Sequence, residues 1–86
     1  MEDFMVVEDV TVDAERIIDF RRVGLGAQFF EEDGYDAIAA LNDEVRNWLA
    51  QNARGKFGGI GSRGAGSVMM FFEDADDAAK FEKRFG

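Results

Sequence analysis

The chain has 86 residues with 18 acidic and 10 basic side chains, a formal net charge of −8, and neither cysteine nor histidine. The absence of these two residue types excludes disulfides, thiolate nucleophiles, imidazole acid–base catalysis and the usual zinc ligands. The length favours a single domain over residues 1–86, and a hydrophobic content of 47% with 13% aromatic residues is typical of a folded chain.

A strand, a helix and a second short strand are predicted first along the chain. Residues 4–12 are rich in β-branched side chains and alternate partly, with Val10 and Val12 on one face and Thr11 on the other. Asp13 is a suitable N-cap for a helix over residues 14–23, and a short strand over residues 25–30 follows. The expected buried stripe of this helix consists of Ile17, Ile18 and Phe20.

Residues 35–52 show the strongest helical periodicity, because large apolar side chains recur at steps of three and four. We therefore expect a long central helix here, with Tyr35 and Trp48 packed in the core rather than stacked on a ligand. The expected apolar stripe is Tyr35, Ile38, Leu41, Val45, Trp48 and Leu49.

The last two predicted elements are a strand and a helix. Residues 67–72 contain a run of five large apolar residues, which predicts a strand in the middle of the sheet with both faces buried. Asp74 is a suitable cap for the final helix, whose buried face would carry Ala75, Ala78, Phe81 and Phe85. The order of elements predicts an α+β fold: a two-layer sandwich with an antiparallel or mixed sheet of three to four strands, loosely ferredoxin-like.

Six of the ten glycines lie in residues 54–67, between the predicted central helix and the predicted strand over residues 67–72. Residues 59–64 match G-x-G-x-x-G, the pattern of dinucleotide-binding loops, and residues 60–64 resemble the I-G-x-x-G core of KH domains. Both patterns need a helix directly after the glycines, whereas an apolar strand is predicted here. We therefore interpret this segment first as a connecting loop, and leave open whether residues 56–60 form a further edge strand.

The same segment supports an alternative, a loop that binds phosphate or nucleic acid. Its cations could hold a phosphate and its aromatic ring could stack on a base. This hypothesis ranks second, because three loop cations in a chain of net charge −8 provide little counterion release. The residues concerned are Arg54, Lys56, Phe57, Gly59, Gly61, Arg63 and Gly64.

Acidic residues cluster at positions 31–33 and at Asp74, Asp76 and Asp77. Neither cluster has the ligand order of an EF-hand, and both occur where turn and helix-capping acids are common, so we predict solvated charges and no metal site. No cofactor motif and no catalytic pair of side chains stand out. The protein is accordingly expected not to be an enzyme.

Several phenylalanines exceed what one core stripe needs, and an exposed aromatic patch with a charged rim marks a surface for a partner or for a second copy of the chain. An acidic chain is suited to a basic partner protein and disfavours nucleic acid and anionic membranes. The predicted contact residues are Phe29, Phe30, Glu31, Glu32 and Asp33.

The C-terminal residues 71–86, about a fifth of the chain, resemble the ending of many small tailed-bacteriophage proteins, an apolar strand and a D-A-x-x-F-[KE]-x-[RT]-[FW]-G helix. The positions that fill this pattern are Asp77, Ala78, Phe81, Glu82, Arg84, Phe85 and Gly86. The resemblance implies a phage-encoded protein that acts in the host cytoplasm and blocks a host protein, as anti-CRISPR proteins and polymerase inhibitors do. No secretion signal and no membrane-spanning stretch is recognisable, which also predicts a cytoplasmic protein.

Overall fold

Seven helices and strands make up the part of the chain that the computed structural model describes, which is residues 8–23, 34–62 and 66–86. In chain order they are β1 (Glu8–Asp13), α1 (Ala14–Ile17), β2 (Gly34–Asp36), α2 (Asp43–Asn52), β3 (Phe57–Ser62), β4 (Ser67–Phe72) and α3 (Ala75–Phe85). The predicted strand over residues 25–30 and the first residues of the predicted strand 4–12 lie outside the described ranges.

The four described strands form one antiparallel sheet in the order β1-β4-β3-β2. The fold is an α+β two-layer sandwich, as predicted, and β4 lies in the middle of the sheet. The element order βαβαββα differs from the βαββαβ order of ferredoxin-like domains. No helix within the described ranges is long and apolar enough to cross a bilayer.

One face of the sheet carries the core. Val10 and Val12 of β1 and Met70 and Phe72 of β4 are buried there, and the Phe72 ring lies 5.3 Å from that of Phe81 in α3. The expected core role of the tryptophan is confirmed, because α2 packs its indole edge-on against α3. The ring centroid of Trp48 lies 5.9 Å from that of Phe81 and 5.5 Å from that of Phe85.

The prediction of a helix over residues 14–23 is wrong beyond Ile17. The backbone there turns to the segment 40–42: the N–H of Asp19 donates to the Ala40 carbonyl at 2.8 Å, and the N–H of Asn42 donates to the Ile17 carbonyl at 2.9 Å. Ile17 and Ile18 are buried as expected. Phe20 is 57% exposed, because the helix that would have turned it inward has already ended.

The prediction of one long helix over residues 35–52 is also wrong. Residues 34–36 pair with β3 as a strand, and only Asp43–Asn52 is helical. Asn42 begins this helix, because its side-chain oxygen accepts a hydrogen bond of 2.9 Å from the N–H of Val45. Most of the predicted stripe is still buried, including Tyr35, although it comes from a strand, a turn and a helix.

The last two elements match their predicted bounds, with two corrections. Burial alternates along β4, so only one of its faces is buried, and Met69 on the other face is 43% exposed. Asp74 caps α3 as expected, since its side chain accepts from the N–H groups of Asp76 and Asp77 at 2.8 and 3.3 Å. Ala75 is exposed rather than buried, whereas the expected burial of Ala78, Phe81 and Phe85 is confirmed.

Candidate functional site

The outer face of the sheet is the candidate site, because no described helix packs on it. Side chains alternate between the two faces of a strand, and the residues beside the buried positions of β1, β3 and β4 therefore point outward. We call this surface the open sheet face. A shallow groove on it is lined by Thr11, Ile60, Ser62, Ser67, Met69 and Phe71.

The strand register places the apolar side chains of this face side by side. Met69 lies opposite Thr11 on β1 and opposite Ile60 on β3, while Asp36 of β2 lies opposite Ile60. Phe71 lies two positions along β4 and is half-buried. Ile60 and Met69 are 46% and 43% exposed, so the two middle strands present an apolar stripe to solvent.

Carboxylates flank this stripe on both edges of the sheet. The outward positions of β1 carry Asp9 and Asp13, and that of β2 carries Asp36. The two edge strands are three strand spacings apart, which is roughly 14 Å. Two of these acids have a partner within the protein. The N–H of Ile38 donates to Asp36 Oδ1 at 3.0 Å, and Arg16 Nε lies 3.9 Å from Asp13 Oδ2.

The open sheet face differs from the usual pattern of a solvated sheet face. An antiparallel sheet with one face in water normally alternates between apolar inward and polar outward residues. Here the outward positions of the central strand β4 include Met69 and Phe71 as well as Ser67, while the carboxylates lie on the edge strands. An apolar centre inside a charged rim is the usual anatomy of a protein-binding surface.

The contact residues predicted from the sequence, Phe29, Phe30, Glu31, Glu32 and Asp33, lie outside the described residues. Arg63 and Gly64 of the alternative loop also lie outside them. These seven positions are therefore not assigned to the open sheet face.

The remaining residues of the alternative site are described, and the interpretation of the segment as a connecting loop is wrong from Phe57 onward. The further strand that the sequence left open is present as β3, but it lies between β4 and β2 rather than at an edge. Phe57, Gly59 and Gly61 belong to β3 and lie on its core side. The Phe57 ring lies 6.4 Å from the Phe72 ring. A Cβ atom on Gly61 would lie 2.6 Å from Cε2 of Tyr35, so this glycine is required for the close approach of the tyrosine ring.

Two residues of the segment between α2 and β3 direct their backbone N–H groups inward, to a carboxylate of the protein itself. The N–H groups of Arg54 and Gly55 donate to Oδ2 of Asp77 at 2.8 and 2.9 Å. Such a pair of N–H groups is a common way to hold an anion, and here Asp77 takes that place. The Lys56 carbonyl accepts from the Glu73 N–H at 3.0 Å, which continues the pairing of the two chain segments.

Asp77 itself corrects the prediction that the acids of residues 74–77 are solvated. Its side chain is fully buried, and Oδ1 has no hydrogen-bond partner among the described residues. Its role is to connect α3 to the segment between α2 and β3. Within the described ranges, no three carboxylates are close enough together to hold a metal ion.

Two other features lie away from the open sheet face: the carboxylate of Asp19, whose pKa is perturbed, and a second groove. The pKa of Asp19 is lowered to about 2, chiefly by the hydrogen bond that the Arg21 side chain donates to its carboxylate. The two side chains form an ion pair at the surface. A second groove lies between α2 and β3, beside Ile38 and Phe57. The Arg46 side chain lines this groove, and its guanidinium donates to the carbonyls of Leu41 and Ala39 at 3.2 and 3.0 Å.

Sequence reasoning missed Ile60, Met69 and Thr11 as site residues. The signal that could have identified them is the alternation within residues 67–72, once Ser67 and Val68 are assigned to opposite faces. Ile60 is the only large side chain between Phe57 and Ser62, so it is the only bulky group that β3 places on the outer face. That inference requires β3 to be recognised as a strand, which its glycines conceal.

Comparisons with family models, with curated proteins and with solved structures find no match to this chain. The resemblance of residues 71–86 to phage proteins therefore stays a prediction.

Proposed function

We propose that the protein is a non-enzymatic binding protein whose open sheet face engages the basic surface of a partner protein. One observation supports this proposal above the others: exposed apolar residues on β3 and β4 lie between carboxylates on β1 and β2. The apolar stripe supplies area that is favourable to bury, and the acidic rim orients a basic partner and speeds its approach.

The charge of the whole chain favours the same class of partner. A net charge of −8 repels nucleic acid and anionic membranes, and it attracts proteins with basic surfaces. Two copies of the chain would bring like charges together, because the carboxylates lie on both edges of the face. The C-terminal resemblance to phage proteins adds host proteins that normally hold nucleic acid to the proposed partners.

The test uses strand-compatible substitutions on the open sheet face. The double variant Ile60→Thr with Met69→Thr removes the two exposed apolar side chains and replaces them with threonine, a β-branched residue suited to a strand. The matched control is Phe20→Thr, which removes an exposed apolar side chain from the turn after α1. All three proteins are immobilised and exposed to extracts at about 0.1 M and about 1 M salt, where the screening length falls from about 10 Å to about 3 Å.

The expected result is a basic protein that the wild type and the Phe20 control retain at low salt, and that the double variant loses. Binding is then measured between the purified partner and each variant, so that indirect capture is excluded. Retention that is unchanged in the double variant would overturn the proposal. Recovery of nucleic acid with no protein partner would also overturn it, in favour of the basic segment around Arg54 and Lys56.

A further inference from the structure

We infer that the segment bound by the open sheet face is an amphipathic helix with an apolar stripe flanked by lysine or arginine, which would form a third layer on the sheet. This inference rests on the proposed function and specifies the shape and chemistry of the partner. It follows from the width of the apolar stripe and from the position of the acids on either side of it.

The apolar stripe is narrow. Its exposed members lie on the adjacent strands β3 and β4, which are one strand spacing, about 4.8 Å, apart. The stripe follows the strands, since Phe71 lies two residues beyond Met69 on the same face. A partner that buries an apolar surface two strands wide and two outward positions long needs only one short apolar stripe of its own, as a helix has.

The acids lie where the flanks of such a helix would pass. A helix with its side chains is about 10–12 Å across, and the edge strands β1 and β2 are roughly 14 Å apart. A helix above Met69 and Ile60 therefore leaves Asp9 and Asp36 beside it, one on each edge. Lysine and arginine can reach such positions with their charged ends while their alkyl stems cover apolar surface.

Two other shapes of partner fit the face less well. A second sheet packed over all four strands would cover the carboxylates of the edge strands, and burial of unpaired charges is costly. An extended strand added to the edge of β1 would contact Asp9 and Asp13 but would leave Ile60 and Met69 exposed.

A second copy of this chain is also disfavoured as the occupant. Stacking two open sheet faces with their strands aligned would place the acidic edges of one copy against those of the other. Like charges in contact across an interface reduce affinity. We therefore expect the open sheet face to bind positively charged residues of a different chain.

The experiment uses synthetic peptides as defined probes. The first is a helical peptide of about 18 residues with leucines at helical spacing and lysines along both flanks. The second has the same composition with the leucines scrambled, and the third carries glutamate in place of lysine. A fourth alternates valine and lysine and so favours an extended strand. Calorimetry gives the affinities, and amide chemical shifts give the site.

The helical basic peptide is expected to bind with the largest shifts at outward positions of β3 and β4. Ile60→Thr with Met69→Thr should weaken it about tenfold or more, since two anchor side chains of the centre are lost. Asp9→Asn with Asp36→Asn should weaken it about threefold to tenfold at low salt. The matched control, Glu15→Gln with Glu82→Gln, removes two exposed acids elsewhere and should change the affinity less than twofold.

Three results would overturn the inference. They are no binding of the helical peptide up to about 1 mM, tighter binding of the extended peptide, or equal binding of the helical peptide to the face variants. These results leave the proposed function standing if a purified partner still requires Ile60 and Met69. A partner that ignores both residues would instead refute the proposed function, whatever the peptides do.

Discussion

The two faces of the sheet are made from the same four strands, but the inward residues are packed in the core whereas the outward residues face solvent. Met70 is fully buried in the core, while its neighbour Met69 is 43% exposed on the other side. Gly61 lies under the Tyr35 ring, while a Cβ on Gly58 would have no neighbour within 4 Å. The alternation of a strand thus assigns one residue to stability and the next to the surface that we propose binds a partner.

The largest expected difference between the faces is in the two adjacent methionines. Met70→Ala should lower the free energy of unfolding by about 3 kcal/mol, because it removes a buried side chain and leaves a cavity. Met69→Ala should lower it by less than about 1 kcal/mol, since a much smaller area is transferred to water. Urea denaturation followed by the fluorescence of Trp48, the single tryptophan, measures both. Equal losses would contradict the assignment of the two faces.

Asp77 provides the corresponding test for a polar group on the core side. Asp77→Ala leaves the N–H groups of Arg54 and Gly55 without their carboxylate and should cost about 2–3 kcal/mol in unfolding free energy. The control Asp76→Ala changes an exposed acid in the same turn and should cost less than about 1 kcal/mol. If both variants unfold at the same urea concentration, the buried carboxylate has no structural role.

Two glycines of β3 give a smaller contrast. Gly61→Ala should cost about 2 kcal/mol, because the new methyl group would overlap the ring of Tyr35. Gly58→Ala should be neutral, or stabilise by up to about 1 kcal/mol by restricting the unfolded chain. Thermal and urea unfolding of the two variants check this difference. A larger loss for Gly58→Ala would mean that the inward and outward faces have been exchanged.

The smallest effect concerns alkaline pH. Burial raises the pKa of Tyr35 above its ordinary value of 10. Above pH 10 the unfolded chain releases the phenolic proton while the folded protein retains it, so stability falls as the pH rises to the folded pKa. An absorbance titration reports this directly, because Tyr35 is the only tyrosine. A phenolate that forms at the same pH in folded protein and in urea would show that the ring is not shielded.

The elements that could be predicted from the sequence were those whose own residues determine them. The bounds of β4 and α3 follow from an apolar run, from the capping side chain of Asp74 and from the spacing of Phe81 and Phe85. The burial of Val10 and Val12 follows from alternation. These signals are local, and the tertiary structure agrees with them.

The elements that could not be predicted depend on contacts between distant segments. The apolar spacing of residues 35–41 imitates a helix, but pairing of Tyr35 with Gly61 draws the first residues into the sheet. The glycines of β3 carry no side-chain pattern, so a strand there could only be left open and the outward position of Ile60 could not be predicted. The candidate site was missed for this reason: the open sheet face exists only once β3 lies between β4 and β2.

The methyl signals of Met69 and Met70 provide the most direct test of the central claim, that the open sheet face is the binding surface. In protein labelled at its methionine methyl groups, a soluble paramagnet should broaden the Met69 signal and spare Met70, because only the former is exposed. Saturation with the purified partner should protect Met69 and leave Met70 unchanged. A Met69 signal that stays equally broadened when the partner is bound would contradict the claim.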